Sequence, residues 1–352
     1  MRIDSLHILE IGDFAFFKSV RPTQVTYVYL GKKHPDSSQH LTYAKFRQLR
    51  RELKAGRYDM VVFTSFGLTG VPWHPDRSLF SNLVRTGRSL FGRFYDFGTW
   101  IILWLLRDLD VPFIVYDRKD DPNTIPSQYL PLLKKCEFYF WRECPIKLEQ
   151  GFFSTSYLRD TSAVRKSDIF RNNQHKIVPI SLGADHDQAF SGIDLQAEKT
   201  IDVFFAGSLK DSHVREAGAK LLRDFAAEGI RIEVNEAVKY SRSEFLKRCS
   251  ESWLVWSPEG HGWDCYRHYE VCLAGSIPVM NYPRTRRYQP LIDGVHGFYY
   301  GVEGEDLKRV IKLALADKEK LRTRAIAGRQ HALAFHTYDK IATYMLSRLF
   351  PS

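Results

Sequence analysis

In the stretch WDCYRHYEVCLAGSIPVMN, residues 263–281, Arg267 and Glu270 stand three residues apart in a segment otherwise apolar enough to be interior. At helical spacing the two share one face, a turn apart. One reading is a surface Arg–Glu pair, worth at most about 0.5 kcal/mol. The setting favours another. The stretch runs through Ala274 and Gly275 into SIPVMN, an apolar strand. It follows the loop Gly260-His261-Gly262, whose glycines allow a ligand close to the backbone. An arginine matches a diphosphate through paired N–H donors. A glutamate accepts from two neighbouring hydroxyls, as acidic residues do for ribose in dinucleotide-binding folds. Side by side they suit a nucleoside diphosphate. His261 either touches that ligand or is solvated. The helix is expected to begin near Asp264.

Three other groups carry candidate chemistry. Gly207 and Ser208 end the strand TIDVFFAGS ahead of a helix, with Lys210 and Arg215 close by. Backbone N–H groups and a positive helix end at such a turn suit a phosphate. Without GxGxxG or a Walker lysine, an ordinary strand-to-helix turn reads equally well. In VYDRKDDP, Asp117, Asp120 and Asp121 follow the apolar strand 111–117. A carboxylate there can take a proton from a reacting hydroxyl, or the three can be turn-formers ahead of Pro122. Arg118 and Lys119 favour their ionised forms. The insert 71–98 interleaves Arg77, Arg85, Arg88 and Arg93 with Trp, Phe and Tyr. It reads either as an amphipathic helix with solvated arginines or as a contact for an acceptor or an anionic membrane. Arg142 and Glu143 in FYFWREC either face the same space or pair on a strand edge. His331 and His336 read as structural. No metal and no cofactor are expected, because no DxD and no His/Cys/Asp cluster has ligand spacing.

The elements that would position these residues alternate strand and helix along the whole chain, which argues for α/β architecture with parallel sheets. With 352 residues, two domains of roughly 150–200 residues are expected. A polar linker at 191–200 divides them: 1–190, 191–335, and a terminal helix at 336–352 that can return to the first domain. SRSE at 241–244 is a capping box, and 307–335 reads as one long amphipathic helical stretch. In open α/β sheets the ligand lies at the carboxyl ends of the strands. The composition, 44% apolar and 26% charged, is that of a globular chain. A net charge of +10 suits acidic small molecules, nucleic acid or an anionic membrane face. Five cysteines without a CxxC pair suggest neither a disulfide framework nor a zinc site, and point to a reducing compartment. The N-terminus has no secretory pattern, so a cytoplasmic protein is expected, working in solution or peripherally at the inner membrane face. WIILWLL, 100–106, is far short of the ~20 residues of a span.

Three pieces, DVFFAGS with its following arginine (202–215), SPEGHGWDCYRHYE (257–270) and CLAGSIPVMN (272–281), resemble the donor-binding domain of GT-B glycosyltransferases. R-x-x-E followed by A-G-x-x-P-V is similar to exostosin-like and other bacterial sugar transferases. Phage DNA β-glucosyltransferases show a related pair of motifs. The resemblance implies a GT-B-like α/β fold, two Rossmann-like domains facing each other across a cleft. It implies a nucleotide-sugar donor, a UDP-sugar, at Gly207, Ser208, Lys210, Arg215, His261, Gly262, Arg267 and Glu270. Arg215 and Arg267 would meet the diphosphate and Glu270 the ribose. Asp117 is placed like the base of the phage enzymes, with Asp120 and Asp121 competing. Many retaining enzymes of this fold carry two glutamates eight positions apart. Gly262 stands eight before Glu270, which points to inversion, metal-independent if the arginines neutralise the leaving group. The expected acceptor is a glycan, with a hydroxymethylated DNA base as the alternative. An epimerase or phosphorylase of the same fold, and a basic nucleic-acid-binding protein without catalysis, are the other readings.

Overall fold

The computed structural model describes residues 3–30, 41–65, 96–120, 125, 129–146, 168–210, 212–236, 238–303 and 305–351. In the first half these form β1 (Ile8–Gly12), α1 (Phe16–Val20), β2 (Val25–Tyr29), α2 (Tyr43–Lys54), β3 (Met60–Ser65) and α3 (Asp96–Leu105). Then come β4 (Phe113–Asp117), α4 (Leu130–Lys135), β5 (Phe138–Trp141), α5 (Asp168–Asn173) and β6 (Ile177–Pro179). The strands pair in parallel in the order β2-β1-β3-β4-β5-β6. β1, β3 and β4 are buried at every residue, as parallel strands covered on both faces must be.

Side-chain alternation assigns each strand residue to one of two cores. Leu9, Ile11, Val61, Phe63 and Val115 face α2, α3 and α4. Ile8, Met60, Val62, Ile114 and Tyr116 face α1 and the last helix of the chain.

The second half continues with β7 (Ile201–Ala206), α6 (His213–Ala226), β8 (Ile232–Asn235), α7 (Arg242–Ser250), β9 (Ser252–Trp256) and α8 (Tyr266–Leu273). β10 (Ile277–Asn281), β11 (Phe298–Tyr300), α9 (Asp306–Leu315), α10 (Lys318–Phe335) and α11 (Tyr338–Leu349) complete the chain. These strands form a second parallel sheet, β11-β10-β9-β7-β8. Its α/β layering matches the alternation of patterns in the sequence. α11 buries Tyr338, Ile341, Met345 and Leu346 in the core of the first sheet, so the terminal helix returns to the half where the chain began.

Two local features differ from the periodicity reading. The amphipathic stretch near the end is two helices, because Asp317 leaves the helix and accepts from Lys320 N–H to cap α10. α8 starts at Tyr266 and not at Asp264, whose carboxylate is held by the Leu182 N–H and the Tyr269 hydroxyl. The expected capping box is present: Ser241 and Glu244 satisfy each other's backbone N–H. No described helix is long and apolar enough to cross a membrane.

α6 lies against β9 at Gly218, where a Cβ would stand 2.2 Å from the buried Trp256 ring. Gly218→Ala is expected to destabilise the protein by about 1–3 kcal/mol through overpacking, despite the helix-favouring substitution. The urea midpoint reads this, and an unchanged or raised midpoint would contradict the packing.

Candidate functional site

The carboxyl ends of β7 and β9 open towards the first turn of α8, and two guanidinium groups meet there. Arg267 projects from α8 over the end of β7. Its Nη2 donates to Ala206 O at 2.8 Å, and its Cζ lies 4.9 Å from the centre of the Phe205 ring. Gly207 adopts φ 151°, and a Cβ there would stand 2.7 Å from Arg267 Nη2. The glycine is what lets the guanidinium lie down on the strand end. Arg215, from the first turn of α6, donates from Nε to Glu259 O at 2.8 Å and from Nη1 to Ser208 O at 3.1 Å. A Cβ on Gly260 would stand 2.6 Å from Arg215 Nη2. Each cation therefore occupies the space that a glycine leaves.

The two are not equally satisfied. Arg267 Nε and Nη1 are buried and have no hydrogen-bond partner among the described residues. Burial lowers the Arg267 guanidinium to about 10, and the charge of Arg215 pushes the same way. Two adjacent cations with buried donors left over form a site that an anion would stabilise. Gly207 supplies space there and not a donor, since its own N–H goes to Asn235 O at 3.0 Å. Ser208 and Lys210 are exposed on the same turn, as is His261 in the glycine loop.

Glu270 sits one turn further along α8, half-buried, with Oε1 3.4 Å from Arg242 Nη2. Burial raises its carboxyl above the usual range against the pull of Arg242 and Arg267. Arg242 also bridges to Asp187 at 3.3 Å and donates to Asp185 O at 2.5 Å. Arg267 and Glu270 thus share a face, as their spacing implies, yet each has its own partners.

The first sheet contributes the acids after β4. Asp117 is 1% exposed. Its Oδ2 accepts from the Tyr139 hydroxyl at 2.5 Å and its Oδ1 from Lys119 N–H at 3.2 Å. Asp120, its side chain 40% exposed, reaches Arg142 Nη1 at 2.5 Å. That contrast in exposure makes Asp120 the more available proton acceptor. Asp121 and the insert arginines Arg77, Arg85, Arg88 and Arg93 lie outside the described residues.

Of the two readings of Arg142 and Glu143, the pairing is present, at 3.6 Å, but buried just after the interior strand β5 and not on a strand edge. They tie the two sheets together. Arg142 donates to Arg118 O and to Asp264 O, with Asp264 Oδ2 3.6 Å from its Nε and Glu143 Oε1 3.6 Å from its Nη2. Glu143 accepts from Asp264 N–H at 2.9 Å and Trp263 N–H at 3.2 Å. A Cβ on Gly262 would stand 2.4 Å from Glu143 Oε1. Burial alone would lower the Arg142 guanidinium, but the neighbouring acids, Asp120 first, outweigh it and raise it.

Sequence reasoning missed Arg242, Asp187 and the pair Glu259–Asn281, which joins the glycine loop to the end of β10 at 2.8 and 2.9 Å. Arg242 had a local signal. A cation in the first turn of a helix opposes the helix dipole, so its presence needs another reason. Among the described residues no group of His, Cys, Asp and Glu could hold a metal ion.

No protein-family model matches the chain, and no curated protein matches it. Solved structures do. An alpha-glucosyltransferase in complex with UDP and a 13-mer DNA containing an HMU base matches with TM-score 0.56 and 11% identity, covering 99% of each chain. A glycosyltransferase from Rickettsia africae ESF-5 matches with TM-score 0.51 and 10% identity, covering 98% of this chain and 99% of that one. At such identities the likeness establishes the fold. This chain has the GT-B fold, with two parallel-sheet, Rossmann-like halves.

Burial pushes the Glu143 carboxyl up from 4.5 to about 8, against the pull of Arg142. The folded chain therefore holds a proton that the unfolded chain gives up. The stability this contributes is complete below the ordinary carboxyl pKa and is lost as pH rises to about 8. The urea midpoint of the wild type is expected to fall relative to that of Glu143→Gln as pH rises from about 5 to about 8. Glu10, raised to about 7 by burial, adds a slope of the same sign to both proteins, and the buried His268 and His336, lowered to about 3, add one of opposite sign below about pH 6.5, so the difference between the two proteins isolates Glu143. An identical pH profile in the variant would remove Glu143 from the account.

Proposed function

We propose that the chain is a glycosyltransferase that moves a sugar from a nucleoside-diphosphate donor, a UDP-sugar, to an acceptor hydroxyl. The observation that carries this reading is the Arg215–Arg267 pair at the carboxyl ends of the second sheet, with two buried Arg267 donors unpartnered. In an open α/β sheet that is where a ligand lies. The diphosphate lies against Arg215 and Arg267, and the ribose hydroxyls face Glu270, whose carboxylate Arg242 holds in place. Lys210 and His261, exposed on the flanking loops, extend the site towards the sugar and phosphates.

Transfer proceeds by a single displacement. The acceptor oxygen bonds to the anomeric carbon as the bond from that carbon to the diphosphate breaks, and the acceptor proton passes to a carboxylate. Asp120 is the favoured base over Asp117, whose two oxygens are occupied. The two guanidiniums neutralise the leaving diphosphate, which supports metal-independent transfer. Gly262, where retaining relatives carry an acid, supports inversion.

The acceptor is proposed to be a glycan, presented at the inner membrane face with the insert arginines on an anionic surface. A hydroxymethylated DNA base is the second reading. It is favoured by the net charge of +10 and by the fold neighbour seen with DNA. Release of UDP in the presence of a glycan extract or of hydroxymethylated DNA distinguishes the two.

Saturating UDP should raise the melting temperature, by a free energy of about 2.7 kcal/mol at a hundredfold excess over Kd. No response to any nucleoside diphosphate or nucleotide sugar would refute the donor site. Arg267→Ala and Arg215→Ala should each weaken UDP about 10- to 100-fold. Glu270→Ala should weaken uridine as well as UDP, and unchanged affinity for both would contradict the ribose role. Asp120→Asn should leave UDP affinity intact and lower transfer about 10²- to 10⁴-fold. Transfer at the wild-type rate in that variant would place the base elsewhere.

A further inference from the structure

At the opposite end of the second sheet, a cavity of about 270 Å³ lies under the amino ends of the strands. Its floor comes from Lys199, just before β7, Trp253 at the start of β9, and Gly275, just before β10. Its walls are Leu195 from the linker and the α10 residues Arg322, Ile326 and Arg329. β7 runs six residues from this cavity to Gly207, so roughly 20 Å separates it from the diphosphate site.

The lining combines two chemistries. Leu195 and Ile326 are 40% and 61% exposed, unusual for large aliphatic side chains gathered at one opening, and Trp253 lies beneath them. Among the described residues the charged groups lining the cavity are all basic, with no Asp or Glu. Lys199 is fully engaged: its Nζ donates to Ser250 O at 2.8 Å, Gly275 O at 2.9 Å and Ser276 Oγ at 3.1 Å. It closes the floor and adds positive potential without offering a donor. The two arginines are not so engaged. Arg322 lies over Trp253, its Cζ 5.1 Å from the ring centre, and Arg329 makes one bond, from Nε to Leu273 O at 3.3 Å. Neither is in an ion pair among the described residues. Of the acids on the neighbouring elements, Asp202 pairs with Arg231 and Lys318 and Glu251 with Arg248 and Lys247, while Glu198 and Glu319 are exposed and outside the lining. An apolar pocket with a few convergent polar groups is the ordinary form of a small-molecule site.

We propose that this cavity binds a small amphipathic anion, a phosphate or carboxylate held by Arg322 and Arg329 whose alkyl body lies between Leu195, Trp253 and Ile326. The same chemistry is presented by a soluble metabolite or by a lipid in a bilayer. The site is separate from the donor site and stands whether or not that site takes a nucleotide sugar.

The test is calorimetric titration of the full-length protein with octyl phosphate below its micellar concentration, with inorganic phosphate and octanol as controls. One saturable site is expected, at least about tenfold tighter for octyl phosphate than for either control, because both parts of the ligand contribute. The double variant R322E/R329E, altered at the cavity rim, should lose that binding and keep wild-type affinity for UDP and a wild-type circular dichroism spectrum. Sedimentation with phosphatidylglycerol vesicles that is abolished in the double variant would support the proposal with a bilayer lipid as the source. Octyl phosphate binding without such sedimentation would support it with a soluble ligand. No saturable binding, equal binding by the double variant, or displacement of octyl phosphate by UDP would overturn it.

Discussion

The position of the Arg142 guanidinium governs the geometry between the two halves of this protein. It leaves β5 of the first sheet fully buried, reaches Asp120 in its own half, and crosses to the carbonyl and carboxylate of Asp264 in the other. A buried cation of this kind depends most on its buried partner Asp264, whose removal costs about 3–5 kcal/mol, and less on the 40% exposed Asp120. Glu143 adds a second tie by accepting from the N–H groups of Trp263 and Asp264, immediately before α8. Arg267 and Glu270 sit on α8 and Asp120 lies three residues past the end of β4, so this one cluster sets the spacing between the candidate donor groups and the candidate base. α11 reinforces it: Arg118 donates to Tyr338 on that helix and to Tyr266 on α8.

The electrostatics at successive turns of one face of α8 differ, and the difference suits the two ends of the proposed nucleoside diphosphate. At its first turn Arg267 faces Arg215, and among the described residues the acceptors of both are backbone carbonyls. The folded chain tolerates that like-charge contact, whose natural relief is an incoming anion. One turn later Glu270 faces Arg242, so its carboxylate is held and oriented before any ligand arrives. Pre-orientation suits a group that must accept from two hydroxyls at fixed spacing.

Much of this was legible locally. The alternation of strand and helix, the capping box at Ser241, and the shared face of Arg267 and Glu270 all follow from periods of 2 and 3.6 residues. The glycine-bearing turns were legible as places of close approach, but what approaches is different from the expectation. Gly207, Gly260 and Gly262 make way for Arg267, Arg215 and Glu143, side chains of the protein itself. No local rule could find this, because Glu143 and Gly262 are joined only by the docking of the two halves. The same holds for Asp117. Its place at a strand end was readable, whereas the Tyr139 hydroxyl that occupies it depends on the register of β4 with β5.

The central claim is that Arg215 and Arg267 form a diphosphate site and not merely a basic surface. Calorimetric titration of the wild-type protein with UDP and with uridine tests it most directly. A site built on two guanidiniums, with two buried unpaired donors on Arg267, requires UDP to bind at least about 100-fold more tightly than uridine. Equal affinities, or no binding of UDP, would contradict it.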